Sequence, residues 1–208
     1  MPDTKLFTRE GYGQVEPNQL SAQKTGQIYA SLPLHNDVKV LQNGEFMFYD
    51  YATGTVNANA TVGEPMLVFN EIKLYEPFWQ TSYKDFAMIR VGDNYVTSRK
   101  ATAAYGENSD KEQAATIDPA HTEYGYRMDG IAPRLFKTNV GDIYTTNMVK
   151  VGVEYVAGDL LAPKKDDTSK TLVLEKITDA SQEKMVWQVA KVYTMPDGQP
   201  GLKIQRVQ

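Results

Sequence analysis

His35 and His121 are the two histidines of the chain. Imidazole is the side chain that most often serves as a general base near neutral pH or as a metal ligand. No HxH, HxxxH or HExxH spacing brings the two onto one ion. One lies beside the N-terminal segment and the other in a polar stretch, so both read as exposed side chains. Carboxylates are more numerous. Glu71, Glu76, Asp85, Asp93, Asp142 and Asp159 are the candidates for a pair dividing acid and base work, as in glycoside hydrolysis. Asp93, Asp142 and Asp159 each follow a glycine at the mouth of a strand, where turn chemistry alone explains them. No serine stands in a GxSxG elbow, and no P-loop or strand-borne GxGxxG is present. The chain has no cysteine, which excludes a disulfide framework, a thiolate zinc site and a cysteine nucleophile. The expectation is no enzyme: no catalytic residue, no metal and no cofactor.

Two groups of residues point to binding instead. Tyr75, Phe78, Trp79, Tyr83 and Phe86 form an aromatic cluster. It fits a sugar-stacking platform, a subunit interface or core at a sheet edge. The second group lies in residues 1–36, where Gly11, Gly13, Pro17, Gly26 and Pro33 interrupt every element. Leu6, Phe7, Tyr12, Ile28, Tyr29 and Leu32 are spaced through this segment. It reads either as a flexible terminus or as an extended arm that orders on a neighbouring subunit. On the second reading the arm could be deleted with the remaining β-domain still folded. Leu6, Phe7, Tyr12, Ile28, Leu32, Phe78, Trp79 and Tyr83 are therefore the candidate interface.

Composition narrows the class. The chain has 208 residues, enough for one large β-domain or two small ones. Its net charge of −4 gives no global basic field, so nucleic acid is not an expected partner. The one lysine pair, Lys164-Lys165, is followed at once by Asp166-Asp167. No run approaches the roughly 20 apolar residues of a membrane span. The N-terminal residues lack the apolar stretch of a secretory signal, so the expected site of synthesis and folding is a cytoplasm. Thirteen tyrosines suit strands and interfaces, where an apolar ring and a polar tip serve together.

The elements read as strands divided by turns. DVKVLQNGEFMFYDY predicts a hairpin around Asn43-Gly44. Met66, Val68, Ile72 and Leu74 alternate with Phe69, Glu71, Lys73 and Tyr75 as the two faces of a strand. Phe86 to Val91 is a further strand. Residues 98–130 are polar and Gly-interrupted and read as an inserted loop, with a helical turn around Asp110 to Ala115 and a strand through Tyr124 to Met128. Beyond Pro133 the runs IYTTNMV, GDLLAP, TLVLEKI, MVWQVAKVYT and LKIQRV each end at a turn signal. In MVWQVAKVYT, Met185, Trp187, Val189 and Tyr193 share one face, and Val186, Ala190 and Val192 the other. Both are apolar, which predicts a central strand, either covered on both sides or inside a small barrel. The fold class is all-β: antiparallel β-barrel or β-tulip-like domains with an extended N-terminal arm. The expected organisation is an arm over 1–36, a first β-region over 37–97, the polar loop over 98–130, and a small C-terminal β-barrel over 131–208 packed with the first region.

The C-terminal third carries a resemblance. Gly158, Asp159, Leu160 and Leu161, then Thr171 to Leu174, then Val186 to Tyr193, then Pro196 to Gly198 follow one another across a charged loop. This order is similar to the small β-barrel domain of tailed-bacteriophage capsid decoration (cement, or auxiliary head) proteins. The resemblance implies a virion structural protein that binds the outer capsid surface and stabilises the head lattice. The implied partners are the major capsid protein and neighbouring copies of the chain, as a trimer at local three-fold axes. The implied location is the virion capsid, after synthesis in the host cytoplasm. The smallest members are about half as long, so the arm, the first β-region and the 98–130 loop are departures from the pattern. The alternatives are a carbohydrate-binding or other head-fibre or tail structural module and, behind these, a virion-associated glycoside hydrolase.

Overall fold

The computed structural model describes residues 6–9, 13–35, 37–38, 40–60, 62–70, 88–90, 132–195 and 198–208. The N-terminal half holds β1 (Val15–Gln19), α1 (Ser21–Thr25), β2 (Ile28–Tyr29), β3 (Val40–Gln42), β4 (Phe46–Asp50), β5 (Thr55–Asn57), β6 (Met66–Val68) and β7 (Met88–Arg90). The C-terminal half holds β8 (Leu135–Phe136), β9 (Ile143–Thr146), β10 (Leu160–Asp166), β11 (Thr171–Ile177), β12 (Trp187–Thr194) and β13 (Pro200–Arg206). The protein is all-β, as the period-two runs and dense turn signals predict. One antiparallel sheet curls into a half-barrel in the order β1-β9-β13-β12-β10-β11-β4-β6-β8-β2, with β5 attached to β4. β3 and β7 form a separate two-stranded sheet.

The C-terminal strands follow the sequence runs closely. β10 and β11 pair along their whole length, from Leu160↔Ile177 to Asp166↔Thr171. β12 and β13 pair across the turn that precedes Pro200, closed by Met195 N–H donating to the Gln199 carbonyl at 2.8 Å. Leu202, Ile204 and Arg206 are buried, while Gln205 between the last two is exposed. This is the alternation of a strand covered on one face.

β12 departs from its reading. It lies between β13 and β10 and is central in the sheet, but only one face is covered. Trp187 and Val189 are buried, whereas Gln188, Ala190, Lys191 and Val192 are exposed. The register shifts between Val189, opposite Ile204, and Lys191, opposite Lys203. Ala190 is thus an extra residue, and such a bulge reverses the alternation that follows it. Val192 sits opposite Leu202 and so continues the face of Trp187 and Val189 in place of Tyr193. It is still 46% exposed. β12 meets β10 only at Leu160↔Gln188 and Leu161↔Trp187, so the far end of the β12–β13 hairpin outruns that neighbour.

The Asn43-Gly44 hairpin is also corrected. The turn forms, with Gly44 at φ 93 and Glu45 N–H donating to the Gln42 carbonyl at 3.3 Å. Its two strands then part: β3 pairs with β7, and β4 with β5, β6 and β11. The reason lies in the turn itself. Asn43 and Asn70 exchange two hydrogen bonds, Asn70 N–H to Asn43 Oδ1 at 2.7 Å and Asn43 Nδ2 to the Asn70 carbonyl at 3.1 Å. Gly44 N–H donates to the Val68 carbonyl at 2.9 Å. These bonds fasten the turn to the segment that leaves β6, so it serves as a corner between sheets. In β6, Leu67 and Val68 are both buried, which replaces the expected alternation.

The N-terminal segment is extended but is fastened to its own chain. Phe7 exchanges backbone bonds with residues 152–153, its N–H to the Val153 carbonyl at 2.8 Å and Gly152 N–H to its carbonyl at 2.9 Å. β1 pairs with β9 and β2 with β8, at the two ends of the main sheet. Leu20 and Ala22 are buried in the core. The reading of 1–36 as an arm held for a neighbour is corrected for these residues. The Gly and Pro punctuation limits element length and leaves the pairing of short strands intact. The 98–130 loop, with its expected helical turn and strand, lies outside the described residues.

The core is centred on aromatic rings. Tyr144 and Trp187 meet edge to face at 5.0 Å between centroids, and Phe46 lies 6.0 Å from Trp187. Phe46 comes from the N-terminal half and the other two from the C-terminal half. Midway along the sheet, between β1-β9-β13-β12-β10-β11 and β4-β6-β8-β2, the join is one register pair, Leu172 of β11 opposite Phe46 of β4.

Candidate functional site

Of the candidate interface residues, Leu6, Phe7, Ile28 and Leu32 are described. Leu6 is exposed. Phe7 is buried, edge to face on Tyr155 at 5.7 Å. Ile28 and Leu32 are half-buried and packed against the core. Tyr12, Phe78, Trp79 and Tyr83 lie outside the described residues, as does the rest of the aromatic cluster. The two segments at the Phe7 bridge present apolar side chains beside exposed Thr8 and Lys150. Leu6 and Val151, exposed large hydrophobic side chains, are carried by residues adjacent to those bonds, and Val156 lies three residues beyond Val153. Burial of the Tyr155 ring pushes its phenol well above the usual range, with Glu175 and Asp159 acting in the same direction.

The polar candidates resolve into turn chemistry where they are described. Asp142 is buried and accepts from Ser21 N–H at 3.0 Å, Ser21 Oγ at 2.8 Å and Asn139 N–H at 2.9 Å. It therefore closes its own turn and also ties down the first residue of α1. Asp159 accepts from Val156 N–H at 2.8 Å and meets Lys176 Nζ at 2.8 Å. His35 stands 3.5 Å from Asp37 through Nδ1. Glu71, Glu76, Asp85, Asp93 and His121 lie outside the described residues. Among the described residues, no group of three or more His, Cys, Asp or Glu side chains could hold a metal ion. No helix there is long and apolar enough to cross a membrane.

An unusual polar group among the described residues is Glu45, which belongs to no motif in the sequence. It is 2% exposed. The corner turn delivers it inward: it follows Gly44, and the next two residues, Phe46 and Met47, are fully buried. Its Oε2 accepts from Gln42 N–H at 2.8 Å and its Oε1 from Thr171 Oγ1 at 3.0 Å. Thr171 Oγ1 lies 2.7 Å from Ser169 Oγ, which donates to Asp166 Oδ2 at 2.6 Å. Arg9, whose guanidinium donates to Met148 Sδ at 2.8 Å, is the cationic neighbour. Desolvation raises the Glu45 carboxyl to about 7, against the opposing pull of the Gln42 and Thr171 hydrogen bonds and of Arg9. Asp166 moves the other way, held below the usual carboxylate range chiefly by the Ser169 hydroxyl and N–H. A signal was present in the sequence: a glutamate between Gly44 and the run Phe-Met-Phe, where an exposed strand would not place so much apolar area.

No family model matches this chain, and no curated protein and no solved structure is similar enough to it to count as a match.

Proposed function

We propose that this chain is a virion structural protein that binds the surface of a phage capsid and stabilises the head lattice. The observation that best supports the reading is the C-terminal run of four consecutive antiparallel strands, β10 to β13, set out along the motifs that resemble capsid decoration proteins. Gly158-Asp159 precedes β10, Thr171 to Leu174 begins β11, the valine-rich run is β12, and β13 follows the Pro-Asp-Gly sequence. The exposed apolar side chains at the Phe7 bridge are of the kind that a repeated contact would cover. Attachment to a lattice needs only moderate contacts, because symmetry repeats them and avidity replaces single-site affinity.

The test is co-sedimentation of the purified full-length chain with expanded shells assembled from the major capsid protein encoded nearest to its gene. Saturable binding at a fixed ratio to the lattice supports the reading. Absence of binding across a micromolar range contradicts it.

A further inference from the structure

We infer that the seam between the two halves of the sheet is closed by one proton held in the oxygen chain Glu45–Thr171–Ser169–Asp166, and that loss of this proton loosens the seam. The inference stands on counting protons and is independent of the capsid reading. The chain has three contacts, of 3.0, 2.7 and 2.6 Å. At such separations each pair of oxygens is a hydrogen bond and requires one proton between them. The two hydroxyls supply two. With both carboxylates ionised, Thr171 donates to Glu45 and Ser169 donates to Asp166. The Thr171–Ser169 contact then sets lone pair against lone pair at 2.7 Å. A proton on Glu45 completes the chain: Glu45 donates to Thr171, Thr171 to Ser169, and Ser169 to Asp166. Glu45 Oε2 continues to accept from Gln42 N–H.

Of the two carboxyls, Glu45 is the one suited to hold the proton. It is almost wholly removed from water, and burial disfavours its charged form. Asp166 is mostly solvated and receives both the hydroxyl and the N–H of Ser169, which favour its charge. Among the other charges, Arg9 from the N-terminal segment favours ionised Glu45, and Asp166 from β10 opposes it. Lys150 acts on Asp166 and is paired with Glu175 at 2.9 Å.

The location gives the proton its consequence. Glu45 immediately precedes β4 and Thr171 is the first residue of β11, and these strands share the single pair Leu172↔Phe46. Above neutrality the seam would hold a buried charge and an unbridged oxygen contact. The sign follows from linkage. A carboxyl whose folded-state value is raised contributes its full stability below about 4.5, its ordinary value, and loses it as pH rises through about 7. Between those values the folding equilibrium constant falls by up to about tenfold per pH unit, the slope of one proton.

The experiment uses the full chain with ¹³C-labelled glutamate, the Glu45 carboxyl resonance being assigned by its loss in Glu45→Gln. We expect a titration midpoint near pH 7 in the wild type. In Ser169→Ala it should fall by about half a unit or more, because removing Ser169 relieves the contact that opposes ionisation. Ser169 does not touch Glu45, so a carboxyl raised by burial alone would keep its midpoint in that variant. Amide protection at Phe46 and Leu172 should fall between about pH 4.5 and 7 in the wild type and stay level in Glu45→Gln, whose amide keeps a donor toward Thr171. A wild-type midpoint at or below 5, or one unmoved by Ser169→Ala, overturns the inference. Should Glu45→Gln fail to fold, the same resonance is assigned by through-bond correlation to the Glu45 backbone, so both results stand without that variant.

Discussion

Trp187 and Tyr144 show how much of the core is ring packing and how little of it is polar pairing. The indole Nε1 and the phenol hydroxyl are both buried with no hydrogen-bond partner among the described residues. A buried donor without a partner costs about 1–3 kcal/mol in lost hydration. Tyr144→Phe should therefore leave the fold unchanged and raise its stability by up to that amount in urea unfolding; a loss above about 1 kcal/mol would reveal a partner for the hydroxyl. Asp142 is the opposite case, a buried carboxylate with three donors aimed at it. Asp142→Ala removes all three and should lower stability by about 1.5–3 kcal/mol, the range for hydrogen bonds to a charged group. The Gly-Asp spelling made a turn role for Asp142 readable in advance. Its bond to Ser21 was not readable, because those partners are brought together only when α1 packs beside β9. Glu45 escaped notice for a related reason: alternation assigns faces along a strand and says nothing about the corner that precedes it.

At the scale of elements, the strand runs were legible and, apart from the pairing of LKIQRV with MVWQVAKVYT, their partners were not. β11 and β13 lie where TLVLEKI and LKIQRV place them, since apolar alternation and turn residues are local signals. The Asn43-Gly44 pair also made its turn. What separates its strands is the Asn43–Asn70 exchange and the packing of Gly44, which no local pattern encodes. A Cβ on Gly44 would lie 2.6 Å from Met148 Cβ and 2.7 Å from Thr146 Oγ1. With the positive φ added, Gly44→Ala should cost at least about 2 kcal/mol, read as a shift in the denaturation midpoint at unchanged slope. The N-terminal segment gives the sharper contrast. Leu20 is 2% exposed, so Leu20→Ala should cost about 2–5 kcal/mol, as buried leucines do. A change below about 0.5 kcal/mol would restore the reading of a dispensable arm. Candidates such as Trp79 lie outside the described residues.

At the scale of the whole molecule, one antiparallel sheet runs from β1 to β2 through both halves of the chain. Its halves share an aromatic core and a one-pair seam. Such a unit offers a curved surface, and Leu6 and Val151 are exposed beside the Phe7 bridge. The proposed role is to brace a shell, which demands more than attachment. Bound copies must raise the free energy needed to separate capsomers, by the same linkage through which any ligand of the intact state stabilises it. The direct measurement is the temperature at which expanded shells rupture, followed by light scattering with and without saturating full-length chain. The account predicts a rise of several degrees that grows with occupancy and levels off when the lattice is full. Shells that rupture at the same temperature with the chain bound to saturation would contradict it.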